Sequence, residues 1–407
     1  MNLLVLTRGV PGSGKSSWVR ESGLGAYSIC PDDIRLMYCA PEMKTDGSFC
    51  ISQKADKYVW EFVFKALEQR MKLGCFTIID ATHTKESAIN AYKKLCEKYN
   101  YTCLVVDFSN VPLETCLERN AGRYPKYKVV PDDVIKRMHE NLTKSKIPSW
   151  CKLFKGQRPD IRITKHIKDT EKYNSIFVFG DIHGCYSPLE NFFKDNPYSK
   201  DNLYIFVGDY LDRGIQNKEV LEFLIKHTDD ENFVFLRGNH ESWLDFYSKG
   251  LYNDIKSEQF MKHTINEING IDVEGIKHFI DKLEVCVSID DHYGNRYFIT
   301  HGGIPEIPWY VYPKQCINGV GGYEDSEIVD EQWSKLHSTC AGGNYSIHGH
   351  RNLHHVSMHN THSTYNLCDS VEKGGYLRVL QIIGEHRKEL MYKNDVYDKK
   401  YDMEETK

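Results

Sequence analysis

The residues with the most specific spacing for chemistry lie near the start of the chain and fit the pattern GxxxxGK(S/T). Glycines in such a loop let backbone N–H groups approach a phosphate, and a following helix adds its positive N-terminal end. Lys15 can reach the terminal phosphate oxygens of a nucleotide, and Ser16 can ligate Mg²⁺. The alternative is a chance glycine-rich turn. The pattern predicts a site for ATP with Mg²⁺ formed by Gly9, Gly12, Ser13, Gly14, Lys15, Ser16 and Ser17.

A carboxylate and an arginine three residues apart come next along the chain. Asp32 could take a proton from a hydroxyl that attacks the nucleotide, and Arg35 could hold a neighbouring phosphate. The same spacing is common where an acid begins a helix and an arginine lies on its surface. Both interpretations stay open at the level of sequence.

Three further residues could act on the same nucleotide. Asp80 ends an apolar run, where an acid often orders the water shell of a metal or a catalytic arginine, although it could equally cap a helix. Arg119 and Arg123 lie in a segment that could close over the nucleotide, where arginines stabilise charge on the transferred group. Surface arginines are abundant, so only the geometry can decide whether these two arginines contact the nucleotide.

The second half of the chain carries five blocks that combine carboxylates, an amide and imidazoles: GDIHG at 180–184, GDYLDRG at 208–214, GNHE at 238–241, HGG at 301–303 and HGH at 348–350. These donors suit Mn²⁺, Fe or Zn²⁺, and a carboxylate shared by two ions would hold them about 3.5–4 Å apart. One block alone could be a turn with a capping acid. Five blocks in order predict a two-metal site that activates water and binds phosphate.

The elements that must position these residues alternate between short apolar runs and helical patterns, which predicts α/β architecture. Strands are expected over 3–7, 76–80 and 102–108, and others should end at Phe179, Val207, Leu236, Thr300 and Ile347. Functional groups gather at such carboxyl ends. A buried helical stripe, closed by a C-terminal cap at Gly74, is expected at Ala55, Val59, Phe62, Val63, Ala66 and Leu67.

The strand and helix pattern dissolves between Lys155 and Asn174, which predicts domains over 1–155 and 175–407 joined by a linker over 156–174. The stretch from Arg119 to Lys172 carries 15 Lys and Arg against 6 Asp and Glu, although the whole chain has a net charge of −5. A basic surface of this kind suits a phosphate-rich partner, and a solvated helical face with a charged linker is the alternative.

Bulk composition narrows the class of protein. The chain has 407 residues, enough for two domains, and its 13 cysteines include no CxxC pair, which favours reduced thiols and a cytoplasmic location. The start of the chain lacks the pattern of a leader, and no apolar run reaches the roughly 18 residues of a membrane span. A membrane partner is therefore not expected.

The set formed by the phosphate loop, Asp32 with Arg35, DATH at 80–83, RNAGR at 119–123 and VPDDV at 130–134 resembles the 5′-polynucleotide kinase family over roughly residues 1–150. The resemblance implies that Lys15 and Ser16 hold ATP and Mg²⁺ and that Asp32 is the general base for a 5′-hydroxyl. Arg35 would bind the phosphate that follows the terminal nucleotide, and Arg119 and Arg123 would be lid residues. Asp80 matches a functional acid whose role stays open.

The five later blocks resemble the calcineurin-like metallophosphoesterases over roughly residues 175–385. The resemblance implies two divalent metals, with Mn²⁺ the expected ion. It also implies that Asp212 orients His240 as general acid and that Arg213 binds phosphate. His348 or His350 could be the last ligand, and we choose His350; Asp369 could support a ligand or be a loop acid. The implied metal ligands are Asp181, His183, Asp209, Asn239, His301 and His350.

Together the resemblances imply an α/β chain with an N-terminal P-loop kinase domain, built on a parallel sheet, and a C-terminal calcineurin-like α/β metallophosphoesterase sandwich. This order is similar to enzymes that heal broken RNA ends by phosphorylating a 5′-hydroxyl and removing a 3′-phosphate or 2′,3′-cyclic phosphate. The expected partners are RNA or DNA ends and a ligase on a separate chain.

Two other functions stay open. The first is a Ser/Thr protein phosphatase whose P-loop domain is a regulatory or small-molecule kinase module, because LRGNHE and GDYLDRG also occur in that class. The second is a nucleic-acid-binding scaffold without activity, which the complete set of metal ligands disfavours.

Overall fold

The computed structural model describes residues 3–155, 165–167, 170–307, 313–337, 343–351 and 361–397. The chain divides into two compact units, Met1–Ile163 and Thr164–Lys407. Each unit has its own hydrophobic core. None of the described helices combines the length and the hydropathy needed to cross a membrane.

The first unit contains a five-stranded parallel sheet with the order β2-β5-β1-β6-β7 and a small antiparallel hairpin, β3-β4. Its strands are β1 (Leu3–Arg8), β2 (Ser28–Ile29), β3 (Glu42–Met43), β4 (Phe49–Cys50), β5 (Thr77–Ile79), β6 (Thr102–Asp107) and β7 (Lys152–Lys155). Its helices are α1 (Lys15–Glu21), α2 (Pro31–Tyr38), α3 (Asp56–Lys72), α4 (Glu86–Asn90), α5 (Lys93–Lys98), α6 (Leu113–Ala121) and α7 (Asp132–Lys144).

Strand β1 is buried along its whole length because helices cover both faces of the sheet. On one face Leu4 and Leu6 pack with the stripe of α3, and on the other Val10 packs against α6 and α7. The predicted helix over this stripe is confirmed, with Gly74 in the left-handed region at its end. The expected burial of Phe62 is wrong: its side chain is 42% exposed.

The second unit contains two five-stranded sheets with the orders β11-β10-β9-β16-β17 and β15-β14-β13-β12-β8. The strands of the first sheet are β9 (Ser175–Phe179), β10 (Asn202–Phe206), β11 (Phe233–Phe235), β16 (Tyr376–Ile383) and β17 (His386–Lys393). Those of the second are β8 (Lys165–Ile167), β12 (Cys286–Asp290), β13 (Arg296–Thr300), β14 (Asn344–His348) and β15 (Thr364–Asn366). Each sheet mixes parallel and antiparallel pairs.

Helices cover the outer faces of this sandwich. They are α8 (Tyr186–Asp195), α9 (Asn217–Lys226), α10 (Glu241–Ser248), a π-helical turn (Phe260–Thr264), α11 (Ile265–Ile268), α12 (Val273–Lys282), α13 (Pro313–Asn318) and α14 (Ser326–His337). Val178 and Ile205 of one sheet pack against Val287 and Ile299 of the other. The outer face of the first sheet packs on α8, α9, α10 and α12, and Trp333 of α14 lies 5.7 Å from Phe298 on the second. Buried apolar side chains therefore hold the strands on both faces of the first sheet and on the inner face of the second.

The predicted linker over 156–174 differs from the structure in part. Strand β8 lies inside it and pairs in parallel with β12, Lys165 opposite Val287, and so belongs to the second unit. The 3₁₀ turn Thr170–Lys172 follows. Residues 156–164 and 168–169 of this segment lie outside the described residues. The sequence shows two short β-like pieces in this segment, but a strand of only three residues, Lys, His and Ile, is too short for its periodicity to assign it to a sheet.

Candidate active sites

The loop between β1 and α1 needs glycine at two of the predicted phosphate-binding positions. Gly12 and Gly14 have φ angles of 83° and 98°, which disfavour any residue with a Cβ. A Cβ on Gly12 would also lie only 2.1 Å from the carbonyl oxygen of Cys116. The loop is therefore packed directly on α6, with its last glycine at the N-terminus of α1.

Lys15 is buried beneath this loop, and its Nζ donates to the carbonyl oxygen of Val10 at 2.9 Å. Burial lowers the pKa of Lys15 to about 8, against the opposing effect of the Asp80 carboxylate. Asp80 is itself buried and accepts from Thr7 Oγ1 at 3.3 Å. The anionic phosphate of a nucleotide would favour the charged ammonium here.

A cavity of about 820 Å³ brings most of the predicted nucleotide-site residues together. Among the residues that line it are Gly12, Gly14, Lys15, Ser16, Ser17, Asp32, Arg119 and Arg123. Four predicted residues, Gly9, Ser13, Arg35 and Asp80, are not among its lining residues. Ser13 and Asp80 are buried close to Lys15, and Ser13 Oγ lies 3.5 Å from Lys15 Nζ.

Asp32 and Arg35 lie on α2, and the two side chains contact each other. Arg35 Nη1 donates to Asp32 Oδ1 at 2.8 Å, and its Nε donates to Asp56 Oδ1 at 3.1 Å. Arg35 Nη2 also contacts Asp56. The Arg35 side chain is 11% exposed and that of Asp32 is 48% exposed. Asp56, at the start of α3, thus fixes the guanidinium beside a carboxylate that faces the cavity.

The predicted lid begins at the end of α6. Arg119 is exposed there, and Arg123 Nη1 donates to the carbonyl oxygen of Lys128 at 2.9 Å. Lys128 lines the cavity as well, and its Nζ lies 3.4 Å from Asp33 Oδ1 on α2. Lys128 was not predicted as a site residue, although it lies in the basic stretch from Arg119 to Lys172. The lid is therefore tied to the helix that carries Asp32.

Asp107 at the end of β6 also lines the cavity and was not predicted as a functional residue. Its carboxylate oxygens accept from Arg8 Nη1 at 3.1 Å, and this pair is buried. Arg8 Nη2 donates to the carbonyl oxygens of Leu142 and Ser145. Because Asp107 stands at the carboxyl end of a parallel strand, its position could have been predicted.

In the second unit the five motif blocks follow five strands of the two sheets. Asp181, Asp209 and Asn239 come after β9, β10 and β11, and His301 and His350 come after β13 and β14. Asp181, Asp209 and His301 are buried. Both sheets therefore deliver polar ligands to one edge of the sandwich, as predicted from the strand ends.

Asp209 lies at the centre of this cluster. Its Oδ2 is 3.3 Å from His301 Nε2, 3.7 Å from His183 Nε2 and 4.0 Å from His240 Nε2. Two groups of side chains converge closely enough to hold a metal ion: His183, Asp209 and His240, and Asp209, His301 and His350. Asp209 belongs to both groups, which is the arrangement that a bridging ligand requires.

The two remaining predicted ligands lie beside these groups. Asn239 Oδ1 is 3.1 Å from His301 Nε2. Asp181 Oδ2 is 4.0 Å from His183 Nε2, and the Asp181 carboxylate accepts from the His350 backbone N–H at 3.0 Å. Cys368, which was not predicted, donates from Sγ to Asp181 Oδ2 at 3.0 Å. Asp181 thus lies beside both groups and belongs to neither.

The cluster fits two divalent metals by the chemistry of its donors. It offers carboxylate oxygens, one amide oxygen and imidazole nitrogens, with one carboxylate common to both groups. His301 Nδ1 is buried and has no hydrogen-bond partner among the residues that the structure describes. Metal cations here would neutralise the buried carboxylates and would accept the lone pairs of the imidazole nitrogens.

The pKa values of the ionisable groups around Asp209 are shifted because these groups are buried close to one another. Burial alone would lower the pKa of His301, but Asp209 outweighs it and raises that pKa to about 9. Burial and the neighbouring His301 lower the pKa of His350 to about 3. Burial raises the pKa of Asp181 to about 6. These shifts have opposite directions because charged groups lie close together in a buried cluster, so the groups titrate as a coupled set.

His240 falls within one of the two groups, although the resemblance implies a general acid. Its Nδ1 is 2.9 Å from Asp212 Oδ2, which leaves only Nε2 directed to the cluster. Burial would lower the His240 pKa, but Asp209 and the hydrogen bond with Asp212 raise it above its ordinary value. Asp212 in turn accepts from Ser257 Oγ at 2.9 Å and from Thr264 Oγ1 at 3.2 Å. This carboxylate therefore fixes the ring and favours its protonated form.

Arg213 bridges the two sides of the cluster. Its Nη1 lies 3.2 Å from His183 Nε2, and its Nη2 lies 3.1 Å from His240 Nε2. Glu372 Oε1 is 3.5 Å from Arg213 Nη1. The side chain of Arg213 is 30% exposed, so its planar fork is open to a phosphate at the mouth of the site.

The backbone of this site is strained at five non-glycine residues, which lie in the left-handed region: His183, Asp209, Asp212, Arg213 and His350. Buried side chains stabilise this conformation. Glu241 accepts from the backbone N–H groups of Asp209 and Tyr210, each at 3.0 Å, and Asn217 accepts from that of Asp212 at 2.8 Å. Glu241 is in the GNHE block, but its supporting role was not predicted.

The two histidines of the HGH block have different surroundings. His348 is fully buried, and its Nε2 lies 3.2 Å from Asp330 Oδ1 on α14. His350 instead lies with Asp209 and His301. Asp369 pairs with Arg378 at 3.2 Å. The geometry therefore places His350, and not His348, at the cluster.

Two protein families match this chain. Residues 4–145 match the model described as AAA domain, and residues 175–381 match the model described as calcineurin-like phosphoesterase. The serine/threonine-protein phosphatase PP1-delta of Caenorhabditis elegans is 52% identical over 68 residues, which are 16% of this chain and 22% of that protein. The chain thus spans about a fifth of the length of this relative.

Comparison with solved structures finds a protein serine/threonine phosphatase from Saccharomyces cerevisiae with similarity to human phosphatase PP5. It is 14% identical, covers 58% of this chain and 86% of its own, and has a TM-score of 0.41. The family matches confirm a P-loop domain followed by a phosphoesterase domain, and polynucleotide specificity stays a prediction. Because the second match covers just over half of the residues, the chain belongs to the calcineurin-like phosphoesterase family.

Proposed function

We propose that this chain is a bifunctional enzyme that heals nucleic-acid ends in RNA repair. It phosphorylates 5′-hydroxyl ends with ATP, and it removes 3′-phosphate or 2′,3′-cyclic phosphate ends with divalent metals such as Mn²⁺. The proposal rests on one observation above all: a single cavity is lined by a phosphate-binding loop, a carboxylate and two lid arginines. The phosphoesterase cluster on the same chain supplies the complementary reaction.

In the kinase reaction Asp32 accepts the proton of the attacking 5′-hydroxyl. Arg35, held by Asp56, binds the phosphate that follows the terminal nucleotide. Lys15, Arg119 and Arg123 stabilise negative charge on the transferred phosphoryl group. ATP would bring Mg²⁺, for which Ser16 is the loop ligand.

In the phosphatase reaction the chain's own groups bind phosphate and donate a proton. The two metals, when bound by the Asp209-centred cluster, would lower the pKa of a water and neutralise phosphate charge. Arg213 binds the phosphate oxygens, and the Asp212-bound ring of His240 donates a proton to the leaving oxygen. Removing the proton donor should matter most when the leaving group is poor.

Two features favour nucleic acid as the substrate. The segment from Arg119 to Lys172 has an excess of Lys and Arg over Asp and Glu, 15 against 6, and it includes the lid. The two proposed reactions also act on the two ends left by one strand break. RNA or DNA ends are therefore the proposed partners, and a ligase on another chain would seal them.

A second candidate function is a Ser/Thr protein phosphatase with a regulatory P-loop domain. The local identity of 52% with PP1-delta over 68 residues favours it. The two candidates differ in substrate and not in chemistry, because both need the same metal cluster.

The full-length protein with Mn²⁺ should release phosphate from a 3′-phosphorylated oligonucleotide with a kcat/KM at least about 10² times that on a phosphoserine peptide. The peptide would not be held in the orientation that the reaction needs, and the loss of that orientation accounts for a factor of this order. Phosphate release measured on both substrates under the same conditions checks this. A preference for the phosphopeptide would replace the proposed function by the second candidate.

Replacing His240 by Ala should lower activity on a 3′-phosphorylated oligonucleotide by about 10²-fold or more beyond its effect on p-nitrophenyl phosphate. The reason is that an alkoxide needs a proton to leave, whereas p-nitrophenolate departs without one. Steady-state rates on both substrates and the metal content of the purified variant are measured together. Equal losses on both substrates with a missing metal would instead make His240 a metal ligand.

A further inference from the structure

An unusual number of large apolar side chains is exposed between residues 37 and 62 of the first unit. They are Met37, Tyr38, Met43, Phe49, Tyr58 and Phe62, with exposed fractions between 42% and 76%. They lie on the end of α2, the β3-β4 hairpin and the first half of α3. Clustered exposure of this kind in a soluble domain indicates a binding surface.

Tyr38 and Tyr58 form the part of this surface with the most defined geometry. Their ring centroids are 6.4 Å apart, and their planes are inclined by only 23°. The side chains are 48% and 59% exposed. Neither position is needed for the core, so two near-parallel aromatic rings present apolar area to solvent.

The ring pair adjoins the residues that the proposed function assigns to the acceptor. Asp32, Arg35 and Tyr38 follow one another at intervals of three residues on α2, so Tyr38 is about 9 Å along the helix from Asp32. On α3, Tyr58 lies two residues after Asp56, which contacts Arg35. Along α2 the order is therefore a base for the hydroxyl, a phosphate ligand and then an aromatic ring, with Tyr58 of α3 beside that ring.

Positive charge lines the same side. Strand β4 contacts the lid turn Lys126–Lys128, and Lys128 reaches Asp33 on α2. Lys126 is exposed. The lid thus brings lysines next to the hairpin that follows Tyr38. Aromatic faces beside a cationic edge are the combination that binds single-stranded nucleic acid, because each base stacks and each phosphate is neutralised.

We propose that Tyr38 and Tyr58, a ring pair hereafter called the Tyr38–Tyr58 platform, stack the bases that follow the terminal nucleotide of a single-stranded 5′-hydroxyl substrate. This inference rests on the proposed kinase function and specifies its substrate as a single strand longer than one nucleotide. A peptide is the less suitable occupant, because the cations Arg35, Lys126 and Lys128 would attract a phosphate backbone and gain nothing from a neutral peptide backbone.

The test compares two acceptors in the full-length protein. A nucleoside 3′-monophosphate offers a 5′-hydroxyl to Asp32 and a phosphate to Arg35 but has no second base. A single-stranded 5′-hydroxyl oligonucleotide offers all three groups. The double variant Tyr38→Ala/Tyr58→Ala should lower kcat/KM on the oligonucleotide about 10-fold or more, mainly through KM. Its kcat/KM on the nucleoside 3′-monophosphate should stay at the wild-type value.

Two control variants separate stacking from other effects. Tyr38→Phe/Tyr58→Phe keeps both ring faces and should retain wild-type values on the oligonucleotide. Tyr252→Ala removes a tyrosine of the second unit with the same 48% exposure as Tyr38 and should change neither acceptor reaction.

The stacking role would be contradicted if the double Ala variant phosphorylated the oligonucleotide at the wild-type rate. It would also be contradicted if the variant lost the same activity on both acceptors. If an aromatic peptide inhibited phosphorylation by the wild-type protein but not by the double Ala variant, the platform would be assigned to a protein partner instead. Failure of the wild-type protein to phosphorylate either acceptor would overturn the kinase function itself, which is a different result from failure of the platform alone.

Discussion

Replacing Asp209 by Asn is expected to lower phosphatase activity by about 10³-fold or more while the kinase reaction keeps its wild-type rate. Asp209 is the residue common to both groups of converging ligands, and its Oδ2 lies 3.3 Å from His301 Nε2. Asn keeps the shape of the side chain but removes the charge that two cations would share. The affinity of the site for both metals should therefore fall together.

The measurement combines hydrolysis of p-nitrophenyl phosphate, metal content and 5′-end labelling in one preparation. Asp229→Asn is the matched control, since this carboxylate is in the same unit and exposed, with contacts to Lys282 and His278. It should leave all three quantities unchanged. Retention of full phosphatase activity by Asp209→Asn would contradict the bridging role, and loss of labelling in a folded protein would contradict two separate sites.

Replacing Lys15 by Met should reduce phosphorylation of 5′-hydroxyl ends by about 10²- to 10³-fold and spare the phosphatase reaction. Met keeps an apolar stem in the buried channel under the loop and removes the ammonium that would meet the nucleotide phosphates. Lys15 is the buried cation of the cavity floor, which explains why its charge should matter more than that of an exposed lysine.

End-labelling rates and ATP binding by titration calorimetry check this second result. Lys98→Met is the control, because Lys98 is 60% exposed and pairs with Glu68 at a distance of 2.8 Å on the surface of the same unit. Wild-type labelling by Lys15→Met would show that the glycine-rich loop is not the donor site.

The sequence predicted the parts of both sites that depend on local pattern. A glycine-rich loop after an apolar strand requires left-handed φ angles, and Gly12 and Gly14 have them. Polar blocks after strands predict a shared edge, because parallel strands end on the same side of a sheet. The predicted α/β fold with a P-loop domain and a phosphoesterase domain is confirmed on this basis.

Contacts between distant segments could not be predicted in the same way. Asp56 holds Arg35 across 21 residues, and Glu241 binds the backbone N–H of Asp209 across 32. Asp56 does not differ from a surface acid in the sequence, and Glu241 stands in a motif block whose pattern does not show what this acid binds. The choice between His348 and His350 likewise depends on Asp330 of α14, which takes His348 into the core. Phe62 was expected inside because helical spacing alone cannot distinguish a buried stripe from an exposed binding surface.

The most direct test of the central claim offers the wild-type protein one single-stranded oligonucleotide with a 5′-hydroxyl and a 3′-phosphate, together with ATP, Mg²⁺ and Mn²⁺. The account predicts that the 5′ end gains the γ-phosphate of ATP and that the 3′ end releases inorganic phosphate. Lys15→Met should perform only the second reaction and Asp209→Asn only the first. An oligonucleotide that keeps both ends unchanged, with protein that hydrolyses a phosphoserine peptide, would contradict it.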